Sequence, residues 1–511
     1  MDDDVPVLVV GGGPVGLTTG LLLARAGVPN LVLEAEPRRL AIGSRSICVQ
    51  RDVLDVLERV GLGRRIVDHG VTWYRGRTFF REHEVLTISF PESSHSAFPP
   101  FTNIPQTDVE LLLDEQAAAE DVVDVRYGHR VVGTEQDDTG VTVRVSTVDG
   151  EREFRGSHCV AADGPHSTVR HLLGLPFTGE SYPDQFLIAD IRADLGFAAE
   201  RRFFFDPVWN PGRQVLVHPQ PGGVWRIDWQ VPADFDLDRA QADGTLDRRV
   251  RAIVGDRDYD LVWVSVYRFH QRRVPSFRVG RVLLAGDAAH VMSPFGARGL
   301  NSGIQDAENA AWKIAYDRAG WAGPALLASY DAERGAAADE NLRVTGQTMR
   351  FLVPQTDSDR THRHDVLTRS VEDPAVRPEI DSGKLAEPFW YLDSPLTTPA
   401  PADQCAAFPR EPGATRPPLP GVLCPDATLP GGWRLRQTFG PHFTVLVRDD
   451  EPELPVPDHP PVRVVRLPAD GLAAELGLCA GTCGLVRPDG HLAAIGPTSA
   501  LTDALKRANG W

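Results

Sequence analysis

The sequence is poor in the features that mark nucleic-acid-binding, membrane-spanning and secreted proteins. Three of its 53 basic residues are lysines, namely Lys313, Lys384 and Lys506, and the formal net charge is -17. Such an acidic chain has no basic excess to neutralise phosphates, which argues against a nucleic-acid partner. No apolar run approaches the ~18 residues of a membrane span, and the amino terminus lacks the basic region of a signal peptide. We therefore expect no membrane partner and a cytoplasmic location.

Cysteine is also scarce and is not arranged for metal binding or redox exchange. The six cysteines form no C-x-x-C pair and show no zinc-ligand spacing, so we expect free thiols and no metal site. They are Cys48, Cys159, Cys405, Cys424, Cys479 and Cys483. The chain has 511 residues, a length that suggests roughly two or three domains.

The amino-terminal segment has the pattern of a β-α-β unit. The apolar run at residues 5–10 predicts a strand buried on both faces, residues 11–16 end it, and a helical apolar stripe follows. Residues 31–33 predict a second buried strand. This order predicts an α/β fold that begins with a Rossmann-like nucleotide-binding unit.

The glycine-rich turn fits the dinucleotide-binding pattern G-x-G-x-x-G. Gly11 would make the tight turn, Gly13 would let a pyrophosphate approach the backbone, and Gly16 would let helix and strand pack closely. The amino terminus of the following helix favours the charge of a phosphate. Glu34 ends the second strand, where a carboxylate can accept hydrogen bonds from a ribose. With both flanking elements present, the turn indicates a dinucleotide cofactor.

Further segments could approach such a cofactor. Asp287 follows a strand predicted at 281–285 and could meet a polyol, although alone it could be a helix cap. Residues 294–301 lead into a helix and would present its amides to negative charge. The Asp-Gly turn at 163–164 is an ordinary turn by itself. We interpret His290 as a structural residue.

The middle of the chain has a different pattern. Residues 72–105 and 178–275 alternate between apolar and polar positions and are rich in aromatic residues, which predicts a mixed or antiparallel sheet. We expect most of these rings to pack in the sheet core and the others to line a substrate pocket. They are Trp73, Tyr74, Phe79, Phe80, Phe203, Phe204, Phe205, Trp209, Trp225 and Trp229. Prolines crowd between 394 and 430, which predicts a linker, and 431–511 has the pattern of a small α/β domain.

In this order, the glycine turn, the Asp-Gly turn with Arg170 and the segment from Gly286 to Lys313 resemble the aromatic hydroxylase family of FAD-dependent (class A) flavoprotein monooxygenases, over about residues 5–375. Residues 485–490 are similar to the thioredoxin-like tail of its phenol and phenylpropionate hydroxylase branch, which is usually not redox-active.

The resemblance implies the domain organisation. A Rossmann-like FAD-binding domain would be discontinuous and interleaved with a mixed-sheet substrate domain, followed by the proline-rich linker and a thioredoxin-like α/β domain. The implied ranges are 1–71, 106–177 and 276–375 for the FAD-binding domain, 72–105 and 178–275 for the substrate domain, 394–430 for the linker and 431–511 for the carboxyl-terminal domain.

The resemblance also implies the reaction. NADPH or NADH would reduce a non-covalently bound FAD, which would react with O₂ to give a flavin C4a-hydroperoxide. The distal oxygen would then hydroxylate a small phenolic aromatic substrate. A homodimer stays open.

Individual residues receive roles from the same resemblance. Arg45 and Gln106 would lie near the flavin, and the backbone of Val131 would lie near the adenine. Arg45, Pro294 and Arg298 are the candidate catalytic residues, and the sequence identifies no general base. The implied cofactor-binding residues are Gly11, Gly13, Pro14, Val15, Gly16, Glu34, Ala35, Arg45, Gln106, Val131, Asp163, Gly286, Asp287, Pro294, Gly299, Leu300 and Asn301.

Arg298 departs from the family pattern, in which glutamine is more common at this position. Two interpretations are open. Its guanidinium could point outward and pair with a surface carboxylate. Alternatively, it could lie beside the flavin, where positive charge would favour an anionic reduced flavin and a phenolate.

Other functions share some of these features. A Baeyer–Villiger or epoxidising monooxygenase would use the same fold and cofactor, and a flavin-binding regulator would need no turnover. A flavin-dependent halogenase fits less well, because Trp225 and Trp229 are four residues apart and do not form its W-x-W-x-I-P motif.

Overall fold

The computed structural model describes residues 5–39, 46–90, 96–400, 416–469 and 471–511. The strands are β1 (Val7–Val10), β2 (Asn30–Leu33), β3 (Cys48–Gln50), β4 (Val71–Trp73), β5 (Arg75–Phe80), β6 (His83–Ser89), β7 (Phe101–Asn103), β8 (Val123–Arg126), β9 (Arg130–Gln136), β10 (Val141–Thr147), β11 (Gly150–Gly156), β12 (Cys159–Ala161), β13 (Thr178–Arg192), β14 (Arg201–Phe205), β15 (Gln214–Gln220), β16 (Val224–Val231), β17 (Asp260–Arg273), β18 (Arg278–Val279), β19 (Val282–Leu284), β20 (His290–Val291), β21 (Phe443–Arg448), β22 (Val462–Leu467), β23 (Thr482–Val486) and β24 (Leu492–Pro497). The α-helices are α1 (Pro14–Arg25), α2 (Arg51–Glu58), α3 (Gly63–His69), α4 (Gln106–Ala118), α5 (Thr168–Leu172), α6 (Leu237–Ala242), α7 (Thr245–Val254), α8 (Gly299–Arg318), α9 (Ala325–Leu352), α10 (Asp357–Arg369), α11 (Leu472–Glu475) and α12 (Leu501–Ala508).

A six-stranded sheet contains the predicted β-α-β unit. Its order is β18-β19-β12-β1-β2-β8, and its neighbours are parallel except for β18 and β19. The residues of β1 and β2 are all buried, as short apolar runs in a parallel sheet require. The carboxyl ends of β1, β12 and β19 therefore meet at one edge, which is where open parallel sheets bind ligands.

An eight-stranded sheet forms most of the middle region, as the alternating pattern predicts. Its order is β20-β17-β13-β16-β15-β14-β5-β6, and only β14 and β5 are parallel. Leu187, Val217 and Ile227 pack with α7 in a buried core on one face. Because side chains alternate along a strand, the intervening residues such as Ile188 and His218 face the other way, toward the six-stranded sheet.

Two three-stranded sheets complete this part of the molecule. One has the order β11-β10-β9, and the alternating segment around residues 141–145 forms its central strand. The other has the order β3-β7-β4 and supports the start of α2.

The carboxyl-terminal region is a small α/β unit with the order β22-β21-β23-β24, in which only β21 and β22 are parallel. Its likeness to thioredoxin stays a prediction. The described parts of the proline-rich segment pack on the body of the protein, because Leu396 and Val422 are fully buried and Arg416 pairs with Asp52. These parts are therefore not a free arm.

Candidate active site

A cavity of about 430 Å³ lies between the carboxyl ends of β1, β12 and β19 and one face of the eight-stranded sheet. Its volume falls within the ~300–1,000 Å³ typical of small-molecule sites. One wall is largely backbone, including Gly13, Ala162 and Gly286, and the opposite wall is aromatic, including Phe186 and Phe269. The cavity thus connects the two sheets that the sequence predicts.

The glycine turn after β1 excludes side chains at two positions and leaves space at a third. Gly11 has a φ of +102°, and a Cβ there would lie 2.4 Å from the carbonyl oxygen of Ala162. A Cβ on Gly16 would lie 1.9 Å from the carbonyl oxygen of Gly11, whereas a Cβ on Gly13 would meet no atom within 4 Å. Because α1 begins at Pro14 without a side-chain cap, its first amides are available to a phosphate.

The Glu34 carboxylate stabilises this turn by accepting backbone hydrogen bonds. Its Oε2 accepts a hydrogen bond from the amide of Gly12 at 2.7 Å, and its Oε1 accepts one from the amide of Glu36 at 2.9 Å. A carboxylate has about four acceptor sites, so capacity for a ribose hydroxyl remains. Arg39 supports the same turn by donating to the carbonyl oxygen of Gly12 at 2.6 Å.

The side chains of the Asp-Gly turn hold the backbone in place. Asp163 accepts hydrogen bonds from Ser167 and from a backbone amide of α5, and burial raises the pKa of Asp163. Arg170 donates to the carbonyl oxygens of Pro165 at 2.7 Å and Ala288 at 2.9 Å. This arginine therefore ties the turn to the segment that contains Asp287, while Asp163 itself does not line the cavity.

A buried aspartate that the sequence reasoning missed orients the Gly286–Asp287 segment. Asp306 of α8 accepts a hydrogen bond from the amide of Gly286 at 2.9 Å and contacts Nε2 of His290 at 2.8 Å. Burial opposes its ionisation, but Arg334 and His290 hold the pKa of Asp306 below its usual range. Asp287 is exposed on the cavity side, and His290 has the structural position expected for it. No local signal marks Asp306, because its partners lie far away in sequence.

The loop at 294–299 packs against the backbone carbonyl of Lys384. Gly296 has a φ of +98°, and a Cβ there would lie 2.2 Å from the carbonyl oxygen of Lys384. Arg298 is 3% exposed and lines the cavity; it donates to that carbonyl at 3.1 Å and to Oδ1 of Asn341 at 2.7 Å. The interpretation that Arg298 points outward to a surface carboxylate is therefore wrong. The Arg298 guanidinium is buried and donates to an amide oxygen and to backbone carbonyl oxygens instead. Burial lowers its pKa to about 10, which keeps it charged at neutral pH.

Several predicted residues do not line the cavity. The Asn301 side chain is buried, donates to the carbonyl oxygen of Cys48 at 2.9 Å and accepts from the amide of Gln50 at 3.1 Å. It joins α8 to β3 and is not among the residues that line the cavity, so its contact with FAD stays a prediction. Val131 is buried in β9, and Ala35 also lies away from the cavity.

Other predicted residues do line it. Gln106 is among them, its Oε1 accepting from the amide of Ser46 at 3.3 Å. Arg45 lies outside the described residues. The predicted residues that line the cavity are Gly13, Pro14, Val15, Gln106, Gly286, Asp287, Pro294, Arg298, Gly299 and Leu300.

The aromatic wall consists mostly of rings that the sequence reasoning did not select. Phe186 and Phe269 stack at 4.4 Å between centroids, and Phe295 packs edge-on against both at 5.4 and 5.9 Å. Of the ten aromatic residues selected, Trp73 lines the cavity and the other nine do not, as expected for most of them. Phe186 and Ile188 share one face of β13, but they stand in the continuous apolar run 186–189, so no alternating pattern marked this wall.

Polar groups occupy the rest of the sheet face. Arg226 and Asp190 form a bidentate ion pair at 2.8 and 2.7 Å. Burial lowers the pKa of His218 well below its usual value and raises the pKa of Asp228 to about 7. Burial also lowers the pKa of Arg201 to about 10, and no carboxylate among the described residues pairs with that guanidinium.

The described part of the chain shows no group of three or more His, Cys, Asp or Glu side chains that could hold a metal ion. Its cysteines are free thiols, as expected. In the same residues, no helix combines the length and the apolar character needed to cross a membrane.

The nucleotide side of the cavity fits FAD in its chemistry. A Cβ on Gly13 or Gly299 would meet no atom within 4 Å, so two stretches of backbone are open to a close ligand. The uncapped start of α1 suits a pyrophosphate, and the Asp287 carboxylate suits a polyol.

Sequence comparisons agree with this geometry. The family model described as FAD binding domain matches residues 4–345. A flavin-dependent monooxygenase of Mycobacteroides abscessus is 31% identical over 510 residues, which cover 95% of this chain and 96% of that protein. Rifampicin monooxygenase of Streptomyces venezuelae is 37% identical over 354 residues, which cover 68% of this chain and 71% of that protein.

A third relative is 3-(3-hydroxy-phenyl)propionate/3-hydroxycinnamic acid hydroxylase of Comamonas testosteroni. It is 31% identical over 368 residues, which cover 71% of this chain but 62% of that enzyme. The chain therefore matches less than two thirds of the length of that hydroxylase.

Solved structures share the whole fold. The flavin-dependent monooxygenase PieE, in complex with FAD and substrate, has a TM-score of 0.83 and 24% identity, with 99% of this chain and 98% of that chain covered. RebC has a TM-score of 0.78 and 26% identity, with 99% of each chain covered. From the family match and the full-length relative together, the chain belongs to the FAD-dependent monooxygenases built on this FAD binding domain, the group that contains the aromatic hydroxylases.

Proposed function

We propose that the chain uses NADPH or NADH and dioxygen to hydroxylate a phenol-like aromatic ring. The main support is that one cavity joins the glycine turn of the FAD-binding sheet to an aromatic face of the eight-stranded sheet. A relative named for the hydroxylation of 3-(3-hydroxy-phenyl)propionate supports a phenolic substrate.

The backbone wall would hold the cofactor. In this proposal the backbone N–H groups of Gly13 and Val15 bind the pyrophosphate, and Glu34 binds the ribose. Asp287 binds the ribityl chain. Gly299 and Leu300 approach the ring system, an assignment supported by their position in the cavity wall and by the open space beside Gly299. When bound, FAD supplies hydride acceptance from the nicotinamide and activation of dioxygen.

The aromatic wall would hold the substrate. Phe186, Phe269 and Phe295 form one contiguous apolar surface beside Pro294, so an aromatic ring can pack there with little water between it and the cofactor. Exclusion of water would keep the activated oxygen from being lost before it reacts with the substrate.

Two buried arginines place positive charge in the wall of this cavity. Arg201 and Arg298 both line it, and both donate to neutral acceptors instead of carboxylates. A buried cation that forms no direct ion pair with a carboxylate favours an anionic partner. This arrangement supports an anionic reduced flavin together with a phenolate or carboxylate on the substrate.

The test is NADPH and NADH consumption by the FAD-loaded protein against a panel of phenols, with products identified by mass. The proposal expects consumption stimulated by particular phenols and a product heavier by one oxygen atom. Oxygen insertion into ketones alone would favour a Baeyer–Villiger enzyme. Flavin binding without stimulated consumption would favour a regulator.

A further inference from the structure

Asp228 is a half-buried acid in the cavity wall, and its carboxyl has no hydrogen-bond partner among the described residues. It lies in β16 and lines the cavity, and its Oδ1 is fully buried with no hydrogen-bond partner among the described residues. Burial of a carboxyl oxygen without a partner is unfavourable. A side chain kept in this state is therefore a candidate for contact with a ligand.

The strand register explains why the protein leaves this carboxyl unpaired. The residues directly opposite Asp228 are Ile188 on β13 and Leu216 on β15, and both are apolar. Arg226, two positions earlier on the same strand, is already held by both oxygens of Asp190. The carboxyl thus faces the cavity between two apolar neighbours and beside an ion pair that needs no further partner.

Among the polar groups on the sheet face of the cavity, Asp228 is the best placed base; the carboxylates of Glu110 and Asp287 line the opposite, cofactor side. Arg226 on its own strand favours its ionisation, whereas Asp190 on β13 opposes it. His218 on β15 is held neutral by burial, with a pKa far below its usual value, and so is a weak base. Arg201 on β14 and Tyr267 on β17 complete the set of titratable side chains that line this face.

We propose that Asp228 is the catalytic base of the hydroxylation and accepts the proton of the substrate hydroxyl. The inference rests on the proposed function and specifies the substrate class as phenols that enter with the hydroxyl protonated. In the step, the O–H bond of the substrate breaks and a new O–H bond forms on a carboxylate oxygen of Asp228. The electron pair stays on the substrate oxygen and raises electron density at the ortho and para carbons.

The electrostatics of the site suit this step. Burial raises the pKa of Asp228 to about 7, and a general base acts best when its pKa is near the working pH. The proton transfer itself involves no oxidation or reduction. The oxidant of the overall reaction is the dioxygen named in the proposed function. Phe186 and Phe269 line the same cavity as this carboxylate, and an apolar lining disfavours competing water.

The experiment compares Asp228→Asn with the wild type and with Asp184→Asn as FAD-loaded enzymes. Asp184 is a carboxylate of β13 that does not line the cavity, so its variant controls for loss of charge in the same sheet. Product formation is measured for a weakly acidic phenol and for 4-nitrophenol, which ionises readily without a base. FAD content and circular dichroism confirm that each variant is folded.

The proposal expects Asp228→Asn to lose about 100-fold of its product formation with the weakly acidic phenol, the low end of general-base contributions. The rise in wild-type rate as pH increases through about 7 should disappear, because the group that ionises there is gone. The loss should be much smaller for 4-nitrophenol, and Asp184→Asn should match the wild type. Equal losses for both phenols, or a retained pH limb, would overturn the proposal.

A binding measurement separates this inference from the proposed function. Phenol binding to the FAD-loaded wild type, followed by flavin absorbance, should tighten as pH rises through about 7, because an ionised carboxylate is the stronger hydrogen-bond acceptor. Asp228→Asn should bind without this pH dependence. A wild type that binds phenols in this way but forms no product contradicts the proposed function, whereas pH-independent binding contradicts the role of Asp228.

Discussion

Two glycines of one turn have separable physical roles. Gly13→Ala should leave the stability of the cofactor-free protein nearly unchanged, because the added methyl group meets no atom within 4 Å. The same methyl group would occupy the space where the pyrophosphate approaches. It should weaken FAD binding by about 1.5–3 kcal/mol, or roughly 10- to 150-fold. Titration with FAD and thermal unfolding of the cofactor-free protein measure the two quantities.

Gly16→Ala is the matched comparison. Its methyl group would lie 1.9 Å from the carbonyl oxygen of Gly11, so this variant should lose about 1–3 kcal/mol of stability even without FAD. If Gly13→Ala were destabilised as strongly, or if it bound FAD normally, the assignment of open space beside Gly13 to the cofactor would be wrong.

A substitution of Arg298 tests whether positive charge in the cavity wall favours anionic substrates. Arg298→Gln should retain FAD, because the glycine turn and Asp287 are unchanged. It should raise the KM for anionic phenols about tenfold more than for neutral ones, which corresponds to about 1.4 kcal/mol. The pH optimum should move upward, since less positive charge remains to stabilise a phenolate.

Steady-state kinetics over a pH series measure both effects, and Arg343→Gln provides a control. Arg343 is a partly exposed arginine that pairs with Glu340 on α9. Unchanged discrimination between anionic and neutral phenols in Arg298→Gln would show that the guanidinium only holds the loop at 294–299 against the backbone of Lys384.

At the residue scale, the sequence predicts groups that act through local pattern and misses groups that act across the fold. The roles of Gly11 and Gly16 follow from their spacing, and the structure shows the close contacts that require them. Asp306 and Asp228 carry no local signal, because their importance depends on partners, or on the absence of partners, in other elements of the fold. The direction of Arg298 depends on Lys384, which no pattern connects with it.

At the element scale, a buried charge cluster holds the carboxyl-terminal sheet on α8 and α9. Glu333 of α9 is fully enclosed and binds Arg487, just after β23, at 2.5 Å and Lys313 of α8 at 2.7 Å. Burial opposes ionisation of Glu333, but Arg487 and Lys313 hold its pKa below the usual range. Its contribution to stability is therefore present at neutral pH and is lost as pH falls toward the lowered pKa.

Glu333→Gln should destabilise the protein by about 3–5 kcal/mol, because it leaves the buried Lys313 without its counter-charge and Arg487 with Asp489 alone. Denaturant unfolding at neutral pH measures the change. The control is Asp339→Asn on the same helix, where an exposed carboxylate pairs with Arg273 at 2.9 Å, and the expected change is below about 1 kcal/mol. Equal stability of the two variants would mean that the cluster does not hold the carboxyl-terminal sheet.

Element types were predictable where the apolar period was clear. The β-α-β unit and the mostly antiparallel middle sheet both follow from the pattern, and the structure confirms them. The ends of β13 and β17 could not be predicted, since these strands run for 15 and 14 residues through irregular pairing that only their neighbours define. The packing of the segment that begins at Arg416 could not be predicted either, because it depends on an ion pair with Asp52, which is distant in sequence.

At the scale of the whole molecule, α8 connects the two kinds of structure. It begins at Gly299 in the cavity wall, orients the Asp287 segment through Asp306, and contributes Lys313 to the charge cluster. The six-stranded and the eight-stranded sheets meet only in the three-dimensional fold, so the position of the cavity could be expected from the family resemblance but not from either sheet's sequence alone.

The central claim is that this cavity transfers one oxygen atom from dioxygen to a phenol-like ring. The most direct measurement is turnover of the FAD-loaded protein with NADPH or NADH under isotopically heavy dioxygen, using a phenol that stimulates consumption, followed by mass spectrometry of the product. The account predicts a hydroxylated ring that carries one heavy oxygen atom. A product oxygen that comes from water, or nicotinamide oxidation that yields only hydrogen peroxide with every phenol tested, would contradict it.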